Sequence, residues 1–547
     1  MMRLHRESRS SGLAIGIAVL TFVALLYFIL PPFWETNDDV GMEMVAHGFG
    51  VAAFGDAALV FSNVVWGYIV RSIPTVGTAN GYSLATILVL ILTSYSCLIV
   101  LRKLKVNWIY ILALGLLIWM RPLLFPQFTV DAGLLALASV GWLQLFGRDP
   151  RVRYLIFAAI LGYISFLIRD QEFYLVAAAS LPIMPWRMLL QRRHVSGNIL
   201  IVLCAAMICS AVLNKKALNR PEWTDFSTFN VARAPLTDFG AATKISSRPD
   251  VLARHNFSAN DVWLVAHWFF ADRQIADAKL ISDLVKETDA APVQELSLAQ
   301  GWRAIVALDN IQLYSLILVA LLLFCRYPSK RLLLCFLLVF VAIFATGMVG
   351  RPGVIRVYYP LLCLLVLAPL FLATAPVNGK VIGGLLIVAV VFNTNMVVKE
   401  SKIALRKSQE VRQVASRYPA EVMVVWGDGF PYERAYPVLG VSKAEYERKF
   451  YALGGFTLAP FSVSHEEDVA GRGLISRLLS AEGVLILGAR EPPLKIYCAE
   501  RHGGALEKLL TDTANTSVVR YRCVQGSRGG VFPQLANNEQ TTGWQAL

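Results

Sequence analysis

The sequence predicts an all-α polytopic membrane protein that carries a C-terminal α/β domain on the extracytoplasmic side. Of the 547 residues, 56% are hydrophobic and only 16% are charged, and the mean hydropathy is +0.54. Soluble domains carry about 25% charged residues, so this composition excludes an ordinary soluble protein. The net charge of +13 does not indicate a nucleic-acid partner, because much of the basic excess lies in short connections between apolar runs.

Eleven apolar runs approach the roughly 20 residues that a transmembrane helix needs. They lie near 12–33, 82–101, 107–125, 127–146, 153–169, 172–190, 197–214, 310–325, 332–350, 355–375 and 380–398. No signal-peptidase site of small residues follows the first run, which is therefore expected to be a retained helix. About eleven transmembrane helices are the expectation.

Basic residues fix the orientation of these helices, because cytoplasmic ends carry an excess of Lys and Arg. One set of alternate helix ends holds sixteen basic residues, and the other set holds five. The richer set is Arg3, Arg6, Arg9, Arg102, Lys103, Lys105, Arg148, Arg151, Arg153, Arg187, Arg192, Arg193, Arg326, Lys330, Arg331 and Lys380, and the poorer set is Arg71, Arg121, Arg169, Arg351 and Arg356. The N-terminus is thus predicted to be cytoplasmic and the C-terminal region extracytoplasmic, in a membrane that we expect to be the bacterial inner (plasma) membrane.

On this topology the large hydrophilic segments lie outside. They are the loops 35–81 and 215–309 and the region 399–547, which follows a membrane domain of residues 1–398. The run 59–70 is too short to cross and is typical of an interfacial helix. The aromatic run 262–270 fits either an interfacial anchor or a core helix of a small outer subdomain. Strand-like runs at 421–428, 483–489 and 517–524 predict the α/β domain.

Cysteine usage agrees with this arrangement. Six of the eight cysteines fall in or at the ends of apolar runs, where they act as small hydrophobes. The other two, Cys498 and Cys523, lie in the C-terminal region. An oxidising compartment would allow these two to form the only disulfide.

The segment 34–48, WETNDDVGMEMVAHG, holds the densest group of ionisable residues at a membrane exit. Its pattern predicts a short helix in which Asp39, Glu43 and His47 recur at i, i+4 and i+8 on one face, with Asp38 beside them. Asn37 is a good N-cap, and acidic residues in a first turn suit the helix dipole in any protein. The segment therefore fits either a site for chemistry or a plain helix start.

Other charged residues lie at outer helix ends. Asp131 follows one outer turn, Arg169 lies in another, and Arg351 and Arg356 flank a third just before Tyr358. Singly, each arginine fits an interfacial residue whose charge reaches water, and Asp131 fits a helix start. Together they predict a shared polar cavity that binds an anionic head group through arginines and performs base chemistry through carboxylates.

The acidic pair Asp38–Asp39 after the first span, the charged outer turns, the arginines before a late span and the C-terminal outer domain together resemble the GT-C membrane glycosyltransferases. The resemblance covers the membrane body, and no WWD signature of the kind found in oligosaccharyltransferases is present. It implies transfer of a hexose or pentose from a polyprenyl-phosphate donor to an acceptor hydroxyl, with inversion. The base would be Asp38 or Asp39. Asp38 is preferred, because Asp39 is in register with Glu43 and His47.

The same resemblance implies that Arg351 and Arg356, with Arg169, bind the donor phosphate. Glu43, His47, Asp131 and Tyr358 are the expected substrate-binding residues. No metal site is assigned, although Asp39, Glu43 and His47 are available to a divalent cation. The acceptor is left open among a cell-envelope polysaccharide, a lipid-linked glycan and a protein. The alternatives are a transporter or flippase of lipid-linked sugars and a non-catalytic polysaccharide-assembly subunit.

Overall fold

The computed structural model describes residues 2–290, 297–373, 380–509 and 518–525. Ten helices make up the first part of the chain: α1 Met2–Ile29, α2 Asn37–His47, α3 Val64–Ser72, α4 Gly81–Lys103, α5 Trp108–Leu124, α6 Phe128–Arg148, α7 Val152–Ile168, α8 Asp170–Ser180, α9 Trp186–Gln191 and α10 Arg193–Leu218. Six shorter helices follow in the long loop: α11 Thr224–Asp238, α12 Ala242–Ser246, α13 Pro249–Arg254, α14 Ala259–Ala266, α15 Ala278–Glu287 and α16 Leu298–Val306. Four more helices follow the long loop and contain the remaining apolar runs: α17 Tyr314–Arg326, α18 Lys330–Met348, α19 Ile355–Leu372 and α20 Lys380–Ala415.

Seven helices within the described ranges are long and apolar enough to cross a membrane: α1, α4, α6, α10, α18, α19 and α20. Shorter apolar helices are α5, α7 and α17. By the length and composition of these helices the chain is a multi-pass membrane protein, and its apolar runs coincide with helices. One predicted span, 172–190, is not a continuous helix: α8 ends at Ser180, a 3-10 turn covers Leu181–Ile183, and α9 begins only at Trp186. Pro182 and Pro185 account for the break, because proline cannot donate the backbone hydrogen bond that a helix requires.

Helix α6 occupies the centre of the apolar part and is the most completely buried of the seven. Small residues let its neighbours approach closely. At Gly133 a Cβ atom would lie 2.4 Å from Cβ of Pro360 on α19, so no larger side chain fits between the two helices. This contact brings the start of α6 and the start of α19 to the same end of the molecule.

The C-terminal region forms a mixed five-stranded sheet in the order β2-β1-β3-β5-β4. The elements are β1 Met423–Trp426, α21 Tyr432–Ala435, α22 Lys443–Glu447, β2 Phe450–Leu453, α23 Val463–Val469, α24 Leu474–Leu478, β3 Val484–Leu487, α25 Glu491–His502, β4 Gly504–Leu509 and β5 Val518–Gln525. Strand β1 is parallel to β2 and β3, whereas β5 is antiparallel to β3 and β4. The three predicted strands correspond to β1, β3 and β5. The sheet starts later than the boundary at residue 399 implies, because α20 continues to Ala415.

The long loop packs against this sheet domain. The indole Nε1 of Trp426 donates to the carbonyl of His267 at 2.7 Å, and the hydroxyl of Tyr497 donates to Asp272 at 2.7 Å. Helix α14 has a capping box at Ser258, and its buried face contacts α25. Of the two interpretations of 262–270, these contacts favour the core helix of an outer subdomain.

The structure pairs Cys498 of α25 with Cys523 of β5, with the Cα atoms 5.7 Å apart. The other six cysteines are free thiols, and of these Cys97, Cys335 and Cys363 are buried in the helical body. The bond closes a segment of 25 residues between the helix and the central part of the sheet. It therefore restrains the unfolded chain and favours the folded domain.

Candidate active site

Helix α2 carries the predicted acidic pair and is fixed at both ends. Its N-cap is Thr36, whose backbone is extended, and not Asn37, whose side-chain oxygen accepts a hydrogen bond from the Glu433 amide at 3.0 Å. The helix ends at His47 and is capped by Gly48, which has a φ of +73°. A Cβ atom there would lie 2.6 Å from the amide nitrogen of Gly55. The sequence thus forms the expected short helix, but Asn37 connects it to the C-terminal domain.

Asp39 is fully buried, and donors occupy both of its carboxylate oxygens. The Thr36 hydroxyl donates to Oδ2 and the Phe128 amide to Oδ1, each at 2.8 Å. Burial raises the pKa of Asp39 to about 8, although these two hydrogen bonds act in the opposite direction. Its position ties the start of α2 to the start of α6, and its complete burial leaves no carboxylate oxygen exposed to a substrate.

Asp38 is in a different environment one residue earlier. Its Oδ2 pairs with Nη1 of Arg356 at 3.0 Å, and the two side chains are 36% and 34% exposed. The charges of Arg356, Asp38 and Arg351 all act on Arg169. A partly open carboxylate and three guanidinium groups therefore lie close together, and the arginines come from the turns before α8 and α19 and from the first turn of α19.

Two of these arginines are held by the segments 35–81 and 215–309. Nη1 of Arg169 donates to the Phe61 carbonyl at 3.1 Å, and its guanidinium lies 5.5 Å from the Phe128 ring centroid. Arg351 pairs with Asp238 at the end of α11 at 3.2 Å. Arg351 is 45% exposed, so its remaining donors are open to a ligand. The three arginines, which are far apart in the sequence, lie at one end of the helical body.

Glu43 and His47 point to the start of α4, away from Arg356. Glu43 accepts hydrogen bonds from the Ser83 hydroxyl at 2.6 Å and from the Asn80 amide group at 3.2 Å, and burial raises its pKa to about 7. Nε2 of His47 accepts from the Tyr82 amide at 3.1 Å. Burial, with Arg71 nearby, lowers the pKa of His47 to about 4, so the ring is neutral at neutral pH.

The remaining predicted residues are buried close to the same end. Asp131 lies in the first turn of α6, only 2% exposed and near enough to Asp39 for their charges to interact. The Tyr358 side chain is also buried, and its hydroxyl accepts a hydrogen bond from the Gly353 amide at 3.0 Å. These two side chains support the turn before α19 and the start of α6. Among the described residues, no three His, Cys, Asp or Glu side chains gather as a metal site.

A second charged network lies beside Arg356. Buried Arg121 donates to Glu35 and to Glu400 of α20, each at 2.7 Å. Next to it is a small crevice with a volume of about 40 Å³. Polar groups of Glu35, Arg121 and Arg356 and apolar groups that include Phe125, Ile355 and Tyr359 line this crevice. The sequence predicts Arg121 at a helix end, but nothing in the sequence points to Glu400, whose partner is 279 residues away.

The C-terminal domain also reaches α2. Nζ of Lys449 donates to the carbonyls of Gly48 and Ala52 at 2.8 and 2.7 Å, and the Tyr446 hydroxyl donates to the His47 carbonyl at 3.1 Å. Residue 50 forms an isolated parallel bridge with residue 449. The C-terminal domain is therefore part of the framework that holds the acidic helix.

Comparison with known proteins gives the following findings. No protein-family model and no curated protein matches the sequence. Among solved structures, the chain is similar to ArnT from Cupriavidus metallidurans bound to undecaprenyl phosphate, at 13% identity and a TM-score of 0.37 over 92% of this chain and 97% of that chain. The apo state of the same protein gives 14% identity and a TM-score of 0.35, over 94% and 98% of the two chains.

Proposed function

We propose that this chain is a membrane glycosyltransferase of the GT-C kind, which transfers a hexose or pentose from a polyprenyl-phosphate donor to an acceptor hydroxyl on the extracytoplasmic face. The observation that carries the proposal is the Asp38–Arg356 pair, 3.0 Å apart and partly exposed, with Arg169 and Arg351 beside it. Transfer of a sugar from a phosphate needs a base for the acceptor and cations for the departing phosphate. This arrangement supplies both within one cluster.

In the proposed reaction Asp38 accepts the proton of the acceptor hydroxyl. The acceptor oxygen forms a bond to C1 of the sugar from the face opposite the phosphate, and the bond between C1 and the phosphate oxygen breaks. Its electron pair leaves with the polyprenyl phosphate, and the configuration at C1 is inverted. The guanidinium groups of Arg356, Arg351 and Arg169 stabilise the charge that develops on the leaving phosphate.

Asp38 suits the role of base better than Asp39. An aspartate with a pKa of about 8 is mostly protonated at neutral pH, and a protonated group cannot take a further proton. Asp39 is also completely buried, so an acceptor hydroxyl cannot reach its oxygens in this structure. Asp39 is then a positioning residue that holds α2 against α6, with Asp131 behind it.

Arg356 has two partners in this scheme. In the structure it pairs with Asp38, and a bound donor phosphate would compete for the same guanidinium. Exchange of Arg356 from carboxylate to phosphate would free Asp38 to accept a proton when donor is present. The crevice beside Arg356 has the apolar lining expected for the first isoprene units next to that phosphate.

The proposal is tested with purified protein in proteoliposomes. The liposomes receive a panel of undecaprenyl-phosphate-linked, radiolabelled hexoses and pentoses and an extract of bacterial cell envelope as acceptor source. Transfer of label to the extract, with release of undecaprenyl phosphate, is the expected result. Label that crosses the bilayer while still linked to undecaprenyl phosphate would contradict the proposal and favour a transporter.

A further inference from the structure

The parallel strands β1 and β2 are each followed by a glycine, and the edge of the sheet is open there. Gly427 follows β1 and Gly454 follows β2. Among the described residues, a Cβ atom at either glycine would have no neighbour within 4 Å. Strand β1 has a parallel neighbour on each side, and ligands of such sheets bind outside the carboxyl ends of the strands, where the connections diverge. This edge is therefore the place where the sheet would hold a ligand.

Trp268 of the long loop lies beside the open edge. A Cβ atom at Gly455, the second residue after β2, would lie 4.0 Å from Cζ3 of the Trp268 ring. The backbone of Trp268 has a φ of +70°, which is rare for a bulky residue and is found more often at ligand sites. Its ring packs on the guanidinium of Arg233, 4.7 Å from the ring centroid, and is partly exposed. The long loop thus holds an aromatic surface beside the empty space at the strand ends.

Two ion pairs connect this aromatic surface to the donor-binding arginines. Arg233 lies 3.8 Å from Asp238, and Asp238 lies 3.2 Å from Arg351. The side chains of Asp238 and Arg351 are 24% and 45% exposed, so solvent reaches this connection. Trp268 is therefore linked through two side chains to a group that we expect to bind the donor phosphate.

The residue after the two glycines connects the same edge to α2. The ring of Phe456 packs on this helix, where a Cβ atom at Gly41 would lie 2.5 Å from its Cε2. Gly41 is three residues after Asp38. The Phe456 ring centroid is also 5.6 Å from that of Phe61, whose carbonyl accepts a hydrogen bond from Arg169. The open edge is therefore joined to the charged cluster on this side as well.

We propose that Trp268 and the open edge beside Gly454 and Gly455 form an acceptor subsite that binds a sugar ring of a glycan. The proposal rests on the glycosyltransferase function given above and specifies its acceptor. The C–H face of a sugar ring is apolar and packs on an aromatic ring, whereas its hydroxyls both donate and accept hydrogen bonds. Groups for the hydroxyls lie at the same edge, where Asp428 and Arg490 pair at 3.3 Å with side chains that are 86% and 44% exposed.

A peptide acceptor fits this edge less well. Extended peptides that add to a sheet are held by backbone hydrogen bonds along the free side of a strand. The open space here lies at the strand ends, where no such row of backbone groups is offered. A glycan is therefore the acceptor class that this edge favours.

The test fills the open space and, separately, removes the aromatic ring. The backbone of Gly455 is outside the left-handed region, so Gly455→Leu should fold with its side chain against Trp268. Full-length wild type, Gly455→Leu and Trp268→Ala in nanodiscs are applied to an array of immobilised envelope oligosaccharides and peptides, and undecaprenyl phosphate binding is measured separately. Glycan binding is expected to fall by about tenfold or more in both variants, because the aromatic contact is lost. Gly455→Leu should bind undecaprenyl phosphate as wild type does.

Trp302→Ala and Gly197→Leu are the matched controls. Trp302 is 58% exposed on α16, and a Cβ atom at Gly197 of α10 would meet no described atom within 4 Å. Both controls should bind glycans as wild type does. Trp268→Phe keeps an aromatic ring and should bind glycans more tightly than Trp268→Ala.

Glycan binding at the wild-type level by Gly455→Leu or by Trp268→Ala would overturn the subsite, as would wild type that binds peptides or nothing on the array. In each of these cases undecaprenyl phosphate binding by wild type would leave the proposed function standing. Loss of both ligands by Gly455→Leu would also overturn the subsite, because the leucine would then act beyond the acceptor space.

Discussion

Replacing Asp38 by Asn separates chemistry from stability in this structure. The Asp38–Arg356 pair is about one-third exposed on both sides, and such ion pairs contribute only about 0–1 kcal/mol to folding. Asn keeps the size of the side chain but cannot accept the proton. We expect turnover to fall by about 10² to 10⁴ fold, which raises the barrier by about 3–5 kcal/mol. The change in the free energy of unfolding should be much smaller.

The neighbouring variant Asp39→Asn should keep its turnover. Like a protonated carboxyl, Asn has one acceptor oxygen for the Phe128 amide, and its NH2 group can donate to the Thr36 hydroxyl in place of the hydrogen bond that Asp39 accepts. The loss of stability at neutral pH should therefore be at most about 1 kcal/mol. The folded fraction should keep turnover far above that of Asp38→Asn.

Both variants are assayed as purified protein in nanodiscs by release of undecaprenyl phosphate from the labelled donor, with thermal unfolding recorded in parallel. Asp250→Asn is the matched control, because Asp250 forms an exposed ion pair with Arg248 at 3.1 Å in the outer loop. It should change neither quantity appreciably. Full turnover by Asp38→Asn would refute the assignment of Asp38 as the base.

The remaining predictions concern the donor, pH, the disulfide and topology. Arg356→Ala should weaken undecaprenyl phosphate binding by tenfold or more, since a charge-assisted phosphate contact is worth about 1.5–3 kcal/mol; unchanged binding by microscale thermophoresis would argue against this role. The pKa of Asp39 is about 8 in the folded protein against an ordinary 3.8, so the folded state holds the extra proton and this group's contribution to stability falls as pH rises toward 8. The melting temperature should therefore decrease from pH 6.5 to 8 in wild type and less so in Asp39→Asn, and equal slopes would be inconsistent with the burial of this carboxyl. Reduction of Cys498–Cys523 should destabilise the outer domain by about 3 kcal/mol, visible as an earlier melting transition, and no shift would mean that the bond is dispensable. A reporter fused to the C-terminus should be active only in the extracytoplasmic compartment, and activity in the cytoplasm would reverse the predicted topology.

Local patterns in the sequence predict much of the helical body. Hydropathy locates the apolar runs, and the Asn-Asp-Asp segment with its acidic first turn marks α2 to within a residue. Proline explains the one run that breaks, since Pro182 and Pro185 interrupt an otherwise apolar stretch. Strands β1 and β3 are visible because their residues are continuously apolar, and β5 because apolar or aromatic residues alternate with Arg520 and Arg522.

What local patterns do not predict are the partners of the charged residues. Arg121 bonds to Glu400 across 279 positions and Arg356 to Asp38 across 318, and no spacing rule connects residues so far apart. Strand β4, GALEKL, has mixed polarity and exposed residues, so it resembles a loop in sequence. The choice between Asp38 and Asp39 likewise depends on the Phe128 amide, which only the packing of α2 on α6 brings near.

The contacts between α21 and α2 also cannot be predicted from local sequence patterns. Glu433 and Arg434 lie in a four-residue helix, which is too short to leave a periodic signal. Only the fold brings these two residues near the acidic pair, because the sheet domain places this turn in contact with Asn37. Long-range packing therefore determines which charges share the site.

The position of a bound polyprenyl phosphate tests the central claim most directly. A cryo-electron microscopy map of the protein in nanodiscs with undecaprenyl phosphate should show the phosphate within hydrogen-bond distance of Arg356, with Arg351 and Arg169 around it. The isoprene chain should enter the crevice beside Phe125 and Tyr359, and the Asp38 carboxylate should be released from Arg356. A phosphate bound away from all three arginines would contradict the account, as would a phosphate bound on the side of the helical body opposite to Asp38.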